Sequence, residues 1–115
     1  MATTNFTISN YEVILFRDGT GAGASSSFDA VVSVTGEGNT VYLHFLNSET
    51  ISSTNVWFPA QKFGRIYLHR ALLPVAIDLL RNEKPVYCQM SDAVPGQCQL
   101  STSPEPVGEG ENKPY

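Results

Sequence analysis

The sequence lacks a long apolar run: no window of its 115 residues approaches the roughly 18 consecutive apolar residues of a membrane span. Charge is also scarce, because 16% of the residues are charged, against roughly 25% in ordinary globular domains. The apolar fraction of 42% is ordinary. Together these values exclude a disordered chain, a coiled coil and a collagen-like repeat, and they indicate one domain with a real core.

Cysteine is rare too, since the chain contains only Cys88 and Cys98. In an oxidising compartment they could close one small disulfide loop, whereas a reducing compartment would leave two thiols. Residues 1–6 have neither the basic nor the apolar region of a secretory signal. We therefore expect a soluble, cytoplasmic protein with free thiols and no membrane contact.

The net charge of −4 hides an uneven distribution of charge. Five of the seven basic residues lie within residues 62–84, while the segments on either side are acidic. An acidic chain disfavours non-specific binding to nucleic acid, which depends on neutralising phosphates. The basic segment has two interpretations: ordinary salt bridges around a helix, or a surface for an anionic partner.

Two alternating segments joined by a short turn predict a β-hairpin. Residues 28–35 place Phe28, Ala30, Val32 and Val34 on one face. Residues 39–46 place Val41, Leu43 and Phe45 on one face, with Tyr42 and His44 on the other. The glycine- and asparagine-containing segment 36–39 between them is typical of a tight hairpin connection.

Further elements complete the predicted fold. Residues 11–16 and 85–90 favour strands, and 56–58 is a short apolar piece that Pro59 limits. Residues 64–69 alternate and favour a strand, although a helix over 60–71 competes. Pro74 suits the first turn of a helix that Asn82 and Pro85 end.

The predicted fold class is therefore α+β. It is a largely antiparallel sheet of about five strands with one helix packed on one face, in the order β-β-β-β-α-β. The domain is expected over residues 5–100. A Pro/Gly/Glu-rich, flexible tail is expected over 101–115, because that segment has too little apolar surface to offset its ordering entropy.

Catalytic motifs are weak, so we expect no enzyme, no metal and no cofactor. The glycine-rich segment 19–23 leads into a strand rather than a helix, unlike a phosphate-binding loop. No Gly-x-Ser-x-Gly elbow occurs, and two cysteines with two distant histidines do not resemble a zinc site. Cys88 is interpreted as a small core residue. A small hydrolase without a recognisable motif is the alternative.

One set of residues suggests a binding surface on the sheet. If residues 64–69 are extended, three polar side chains of that strand share the face of the sheet that carries the polar side of the hairpin. Tyrosine rings offer stacking surfaces, and arginine or histidine can contact phosphate. The residues predicted to bind a partner protein or an anionic, nucleotide-like ligand are Tyr42, His44, Arg65, Tyr67, His69 and Arg70.

The same face could instead be an ordinary wet sheet surface or a homo-oligomer interface, since Tyr and Arg are enriched at interfaces. Trp57 and Phe58 are either a core plug or an exposed anchor for a partner. The leading expectation is a non-catalytic binding protein, a homo-oligomer that acts by sequestration or inhibition of its target. The alternative is a structural subunit that uses this face for assembly.

Overall fold

The computed structural model of the chain describes residues 3–94 and 97–104 and has one α-helix within those ranges. The elements are β1 (Thr3–Thr7), β2 (Asn10–Gly19), β3 (Phe28–Gly36), β4 (Asn39–Leu46), β5 (Val56–Phe58), β6 (Phe63–His69), a 3-10 turn (Arg70–Leu72), α1 (Leu73–Asn82), β7 (Val86–Ser91) and β8 (Gln99–Thr102). The predicted α+β class is confirmed, and every predicted strand and the predicted helix are present.

The strands form two sheets. The larger sheet has the order β2-β3-β4-β6-β5, and its neighbours are antiparallel except for the parallel pair β4 and β6. The smaller, antiparallel sheet has the order β1-β7-β8. Strands β1 and β8 were not predicted, because β1 buries only Phe6 and β8 buries none of its side chains fully. Both are instead defined by pairing with the central strand β7.

The hairpin of β3 and β4 is confirmed. Gly36 pairs with Asn39, which leaves a two-residue connection. Both connecting residues have positive φ, +52° at Glu37 and +83° at Gly38. This is the backbone of a type I′ turn, whose twist matches that of the flanking strands.

The prediction for Phe28 is wrong. Ala30, Val32 and Val34 point into the core between the sheets, but Phe28 packs in a separate cluster on the opposite face. The β3–β4 register shifts between Phe28 and Ala30, and the extra residue of this β-bulge turns Phe28 to the other side. Alternation alone cannot show such a shift.

The main core lies between the two sheets and α1. Its members include Phe6, Leu43, Phe45 and Met90, all at most 2% exposed. Close packing extends to Gly64, where an added Cβ would lie 2.7 Å from the Met90 Cε and 2.8 Å from a Trp57 ring carbon. Glycine at this position therefore leaves the room that the Trp57 and Met90 side chains occupy against β6.

Residues 64–69 are extended, as predicted, because β6 is held between β4 and β5. The helix begins after β6 with Pro74 in its first turn, where the absent proline N–H costs no hydrogen bond. Ala76 is its buried residue, whereas Val75 is 61% exposed. No helix within the described ranges is long and apolar enough to span a membrane.

The C-terminal boundary was predicted at residue 100. Strand β8 includes residues 101 and 102, which pair with Tyr87 and Val86. The rest of the predicted tail, residues 105–115, lies outside the described residues. Cys88 and Cys98 are free thiols buried in the core, and burial raises the pKa of Cys88 to about 12, with Cys98 adding to the effect. Because the thiolate is the reactive form of cysteine, a buried thiol with a pKa this high is unreactive, and Cys88 serves as a packing residue of the core.

Candidate binding face

The larger sheet has an inner face, packed on the smaller sheet, and an outer face that carries the predicted binding residues. The parallel register of β4 and β6 sets Tyr42 beside Arg65 and His44 beside Tyr67. Four of the six predicted site residues therefore stand in a block at the centre of the outer face. The other two, His69 and Arg70, lie at its end.

Aromatic rings run across the outer face in a connected series. The ring of Phe16 on β2 meets Phe28 edge-on at 5.2 Å between centroids, and Phe28 meets His44 at 5.0 Å. Tyr42 contacts Phe63 at 5.4 Å, and Phe63 stacks on Phe58 of β5 at 6.2 Å. This aromatic outer face is far more apolar than the prediction of a polar stripe implied, because Phe28 and Phe63 contribute to it.

His44 is buried within this series. Its side chain lies between the rings of Phe28 and Tyr67, the residue is 4% exposed, and its Nδ1 has no hydrogen-bond partner. Burial lowers the pKa of His44; the Tyr42 backbone opposes this effect and the Arg65 guanidinium adds to it. The imidazole is therefore held in its neutral form, and its Nδ1 atom is buried.

Tyr67 is 6% exposed, and its hydrogen bonds hold two loops against the outer face. Its hydroxyl donates to the Ala22 carbonyl oxygen at 2.5 Å, and its backbone N–H donates to Asn55 Oδ1 at 2.8 Å. The loops also meet each other, where the Ser25 N–H donates to Ser53 Oγ at 2.6 Å. Burial raises the pKa of Tyr67 despite the opposing Arg65 charge. The phenol hydroxyl therefore already donates a hydrogen bond within the fold, so it is not available as a donor to a ligand.

Tyr42 and Arg65 remain half-buried at the open part of the outer face. The Arg65 guanidinium carbon lies 5.0 Å from the centre of the Phe63 ring, a cation–π contact. Within the described chain, no carboxylate forms an ion pair with Arg65. Together with Ile14 and Phe16 of β2, these side chains line a shallow depression of about 260 Å³.

His69 and Arg70 have local structural roles. His69 Nδ1 accepts a hydrogen bond from the Ala71 backbone N–H at 3.0 Å, which caps the 3-10 turn. Arg70 pairs with Asp29 at 3.1 Å, with side chains 53% and 36% exposed. An ion pair with that exposure contributes about 0–1 kcal/mol. Neither side chain joins the central block.

The basic segment 62–84 does not form one charged patch. Lys62 lies in the turn before β6, with its side chain close to Gly38 of the hairpin. Arg65 belongs to the outer face, and Arg70 is paired with Asp29 at the end of that face. Arg81 and Lys84 line a separate cleft of about 540 Å³ between the C-terminal end of α1 and the connection from β1 to β2. The positive charge that is concentrated in this segment of the sequence is thus divided among four places on the surface.

Trp57 and Phe58 point to opposite faces of β5. Trp57 is 4% exposed in the main core, and its Nε1 has no hydrogen-bond partner. Phe58 is 42% exposed at the border of the aromatic outer face. Of these two predicted partner-binding residues, only Phe58 is at the surface.

Strand β2 carries a surface that the sequence interpretation did not identify. It pairs only with β3 within the described residues, so it forms one edge of the larger sheet. Four of the eight exposed large hydrophobic residues of the described chain lie on it: Tyr11, Ile14, Leu15 and Phe16. Leu15 is 75% exposed. The available signal was the run of four consecutive apolar residues 13–16, because an extended strand cannot turn all of them towards one core.

Residues 3–94 and 97–104 contain no group of three or more histidine, cysteine, aspartate or glutamate side chains that could bind a metal ion.

Comparison with known protein families, with curated proteins and with solved structures found no match for this chain.

Proposed function

We propose that this chain is a non-catalytic protein-binding module that receives an extended segment of a partner protein along β2. The observation that carries the proposal is the apolar, solvent-exposed side-chain run at an open sheet edge. An edge strand offers backbone donors and acceptors to an incoming strand, and natural edges are usually protected by charge, proline or cover. Residues 13–16 of β2 contain neither charge nor proline.

The outer face supports specificity for such a segment. Side chains of an added strand alternate between the two faces of the sheet, so every second one would lie beside Ile14 and Phe16. Those two residues border the depression that Tyr42 and Arg65 also line. An incoming apolar or aromatic side chain could contact the rings there, and a carboxylate could pair with the Arg65 guanidinium.

An anionic, nucleotide-like ligand remains the second candidate for the outer face. It is favoured by Arg65, whose guanidinium has no ion-pair partner among the described residues and lies beside the rings of Tyr42 and Phe63. It is disfavoured by the burial of His44 and by the engaged Tyr67 hydroxyl. Thermal unfolding with a panel of nucleotides tests it, because a ligand at 100 times its dissociation constant stabilises by about 2.7 kcal/mol.

Selection from a displayed library of extended peptides tests the leading proposal. We expect wild-type protein to enrich peptides with alternating apolar residues, and we expect Leu15→Lys to lose them. Val75→Lys is the matched control, since Val75 is 61% exposed on α1 and far from β2 in sequence. Peptides that bind Leu15→Lys as well as wild type, or no enrichment at all, would refute binding at the β2 edge.

A further inference from the structure

We infer that the extended segment bound along β2 is cationic at one end: a lysine or arginine lies beside Glu12, and apolar side chains at alternate positions lie beside Ile14 and Phe16. The inference rests on the proposed function, because it states the chemistry of the segment that the β2 edge receives. It is carried by two depressions of different polarity, which follow one another along β2 on the outer face of the larger sheet.

The first depression is polar and acidic. It has a volume of about 310 Å³ and is lined by Asn10, Tyr11, Glu12, Ser33 and Thr35. Glu12 pairs with Ser33 in the register of β2 and β3. The pair of Asn10 and Thr35 is two residues away and therefore lies on the same face of the sheet. A carboxylate, an amide oxygen and two hydroxyl groups can each accept a hydrogen bond from an ammonium or guanidinium group.

Glu12 has no cationic partner among the residues that the structure describes. Its side chain is exposed, and no ion pair of the described chain involves it. Arg65 lies in the same cross-strand row, but β3 and β4 come between the two residues. Three strand spacings amount to about 14 Å, and charges at the surface are screened over about 8 Å at physiological ionic strength. The carboxylate can therefore pair with a cation that a partner supplies.

The second depression follows on the same face and is apolar and aromatic. Ile14 and Phe16 are 37% and 40% exposed and line it together with Phe28. Side chains on one face of a strand are about 7 Å apart. A strand added beside β2 thus sets successive side chains of one face beside Glu12, Ile14 and Phe16. The complementary pattern is one basic and two apolar residues at alternate positions, and the chain direction decides which end is basic.

The charge of the whole chain favours the same kind of partner. Its net charge is −4, and a field of this sign attracts a cationic segment and speeds its association. An exposed ion pair adds little affinity, so the apolar contacts supply most of the binding. Glu12 instead discriminates between partners, because it attracts a basic residue and repels an acidic one at the same position.

Selection from the displayed peptide library tests the inference through the composition of the enriched peptides. We expect wild type to enrich lysine or arginine at one end of the alternating apolar residues, and Glu12→Lys to enrich aspartate or glutamate there. Glu49→Lys is the matched control, because it makes the same change in net charge at an exposed position of the loop after β4. It should keep the preference of wild type. Native circular dichroism checks that each variant is folded.

Fluorescence anisotropy with the most enriched peptide measures the size of the effect. Replacing its basic residue by glutamate should weaken binding to wild type by about threefold to tenfold at low salt. The difference should disappear near about 1 M salt, where the screening length is about 3 Å, while the apolar contacts persist. Ile14→Ala should weaken both peptides and leave their ratio unchanged, because it removes an apolar contact and retains Glu12.

The outcomes separate this inference from the proposed function. No enrichment by wild type would overturn both. Enriched peptides that Leu15→Lys fails to bind, but that show no excess of basic residues, would uphold the β2 edge and overturn the cationic partner; Glu12 would then only protect the edge. Enrichment of the same peptides by Glu12→Lys would have the same meaning. A solution mass that rises with concentration for wild type but not for Leu15→Lys would assign the edge to a second copy and overturn the inference.

Discussion

Replacing His44 by phenylalanine should stabilise the protein, although His44 was predicted as a binding residue. The imidazole is 4% exposed among aromatic rings, and its Nδ1 has no hydrogen-bond partner. A buried polar group without a partner costs about 1–3 kcal/mol, and phenylalanine keeps the ring contacts without that polar atom. Because its ring is slightly larger, part of the gain is offset by packing. We expect a net gain of about 1 kcal/mol at neutral pH.

The same substitution should change the response to acid. The folded state lowers the pKa of His44 below its ordinary value of 6.5, mainly through burial. The unfolded chain therefore takes up a proton at a higher pH than the folded chain, so stability falls as the pH drops below about 6.5. This loss has a slope of at most about 1.4 kcal/mol per pH unit, and His44→Phe should remove it.

Urea denaturation of wild type and His44→Phe between mildly alkaline and mildly acidic pH measures both effects. His69→Asn is the control: it replaces the other histidine and keeps a short capping side chain at the 3-10 turn. This control should retain the acid-dependent loss seen in wild type. If His44→Phe unfolds more readily than wild type at neutral pH, or loses stability in acid as steeply, the reasoning about the buried imidazole is wrong.

Three further substitutions test the packing around the site. Gly64→Ala should lower the free energy of unfolding by about 1–3 kcal/mol in urea denaturation, because its Cβ would overlap Trp57. Tyr67→Phe should cost about 0.5–1.5 kcal/mol and speed amide exchange in the loop around Ala22, since the hydroxyl donates to that carbonyl. Arg70→Ala should change the free energy of unfolding by less than about 1 kcal/mol, because the ion pair with Asp29 is exposed. A larger loss would contradict the assignment of Arg70 to a weak surface ion pair.

The hairpin and β6 could be predicted from the sequence because local rules determine them. Alternation defines the strands, and a glycine-containing two-residue connection defines the turn, whatever the rest of the chain does. The position of Phe28 could not be predicted in the same way. A β-bulge depends on how β3 aligns with its neighbour, and that alignment is a property of the assembled sheet.

The environment of the candidate site was less predictable than its position. Alternation correctly grouped Tyr42 and His44 on one face of β4, but burial of His44 comes from Phe28, turned by the bulge, and from Tyr67. The covering loops, residues 20–27 and 47–55, are polar, so their sequences gave no sign that they pack on the sheet. The β2 edge also required the strand order, which hydrophobic periodicity does not contain.

The two bonds made by Tyr67 have a consequence for motion. One residue holds the loop before β3 through its hydroxyl and the loop after β4 through its backbone N–H, and Ser25 joins the loops to each other. Two segments far apart in sequence are thereby mechanically linked. Local unfolding should therefore expose both loops at once, as a single cooperative unit.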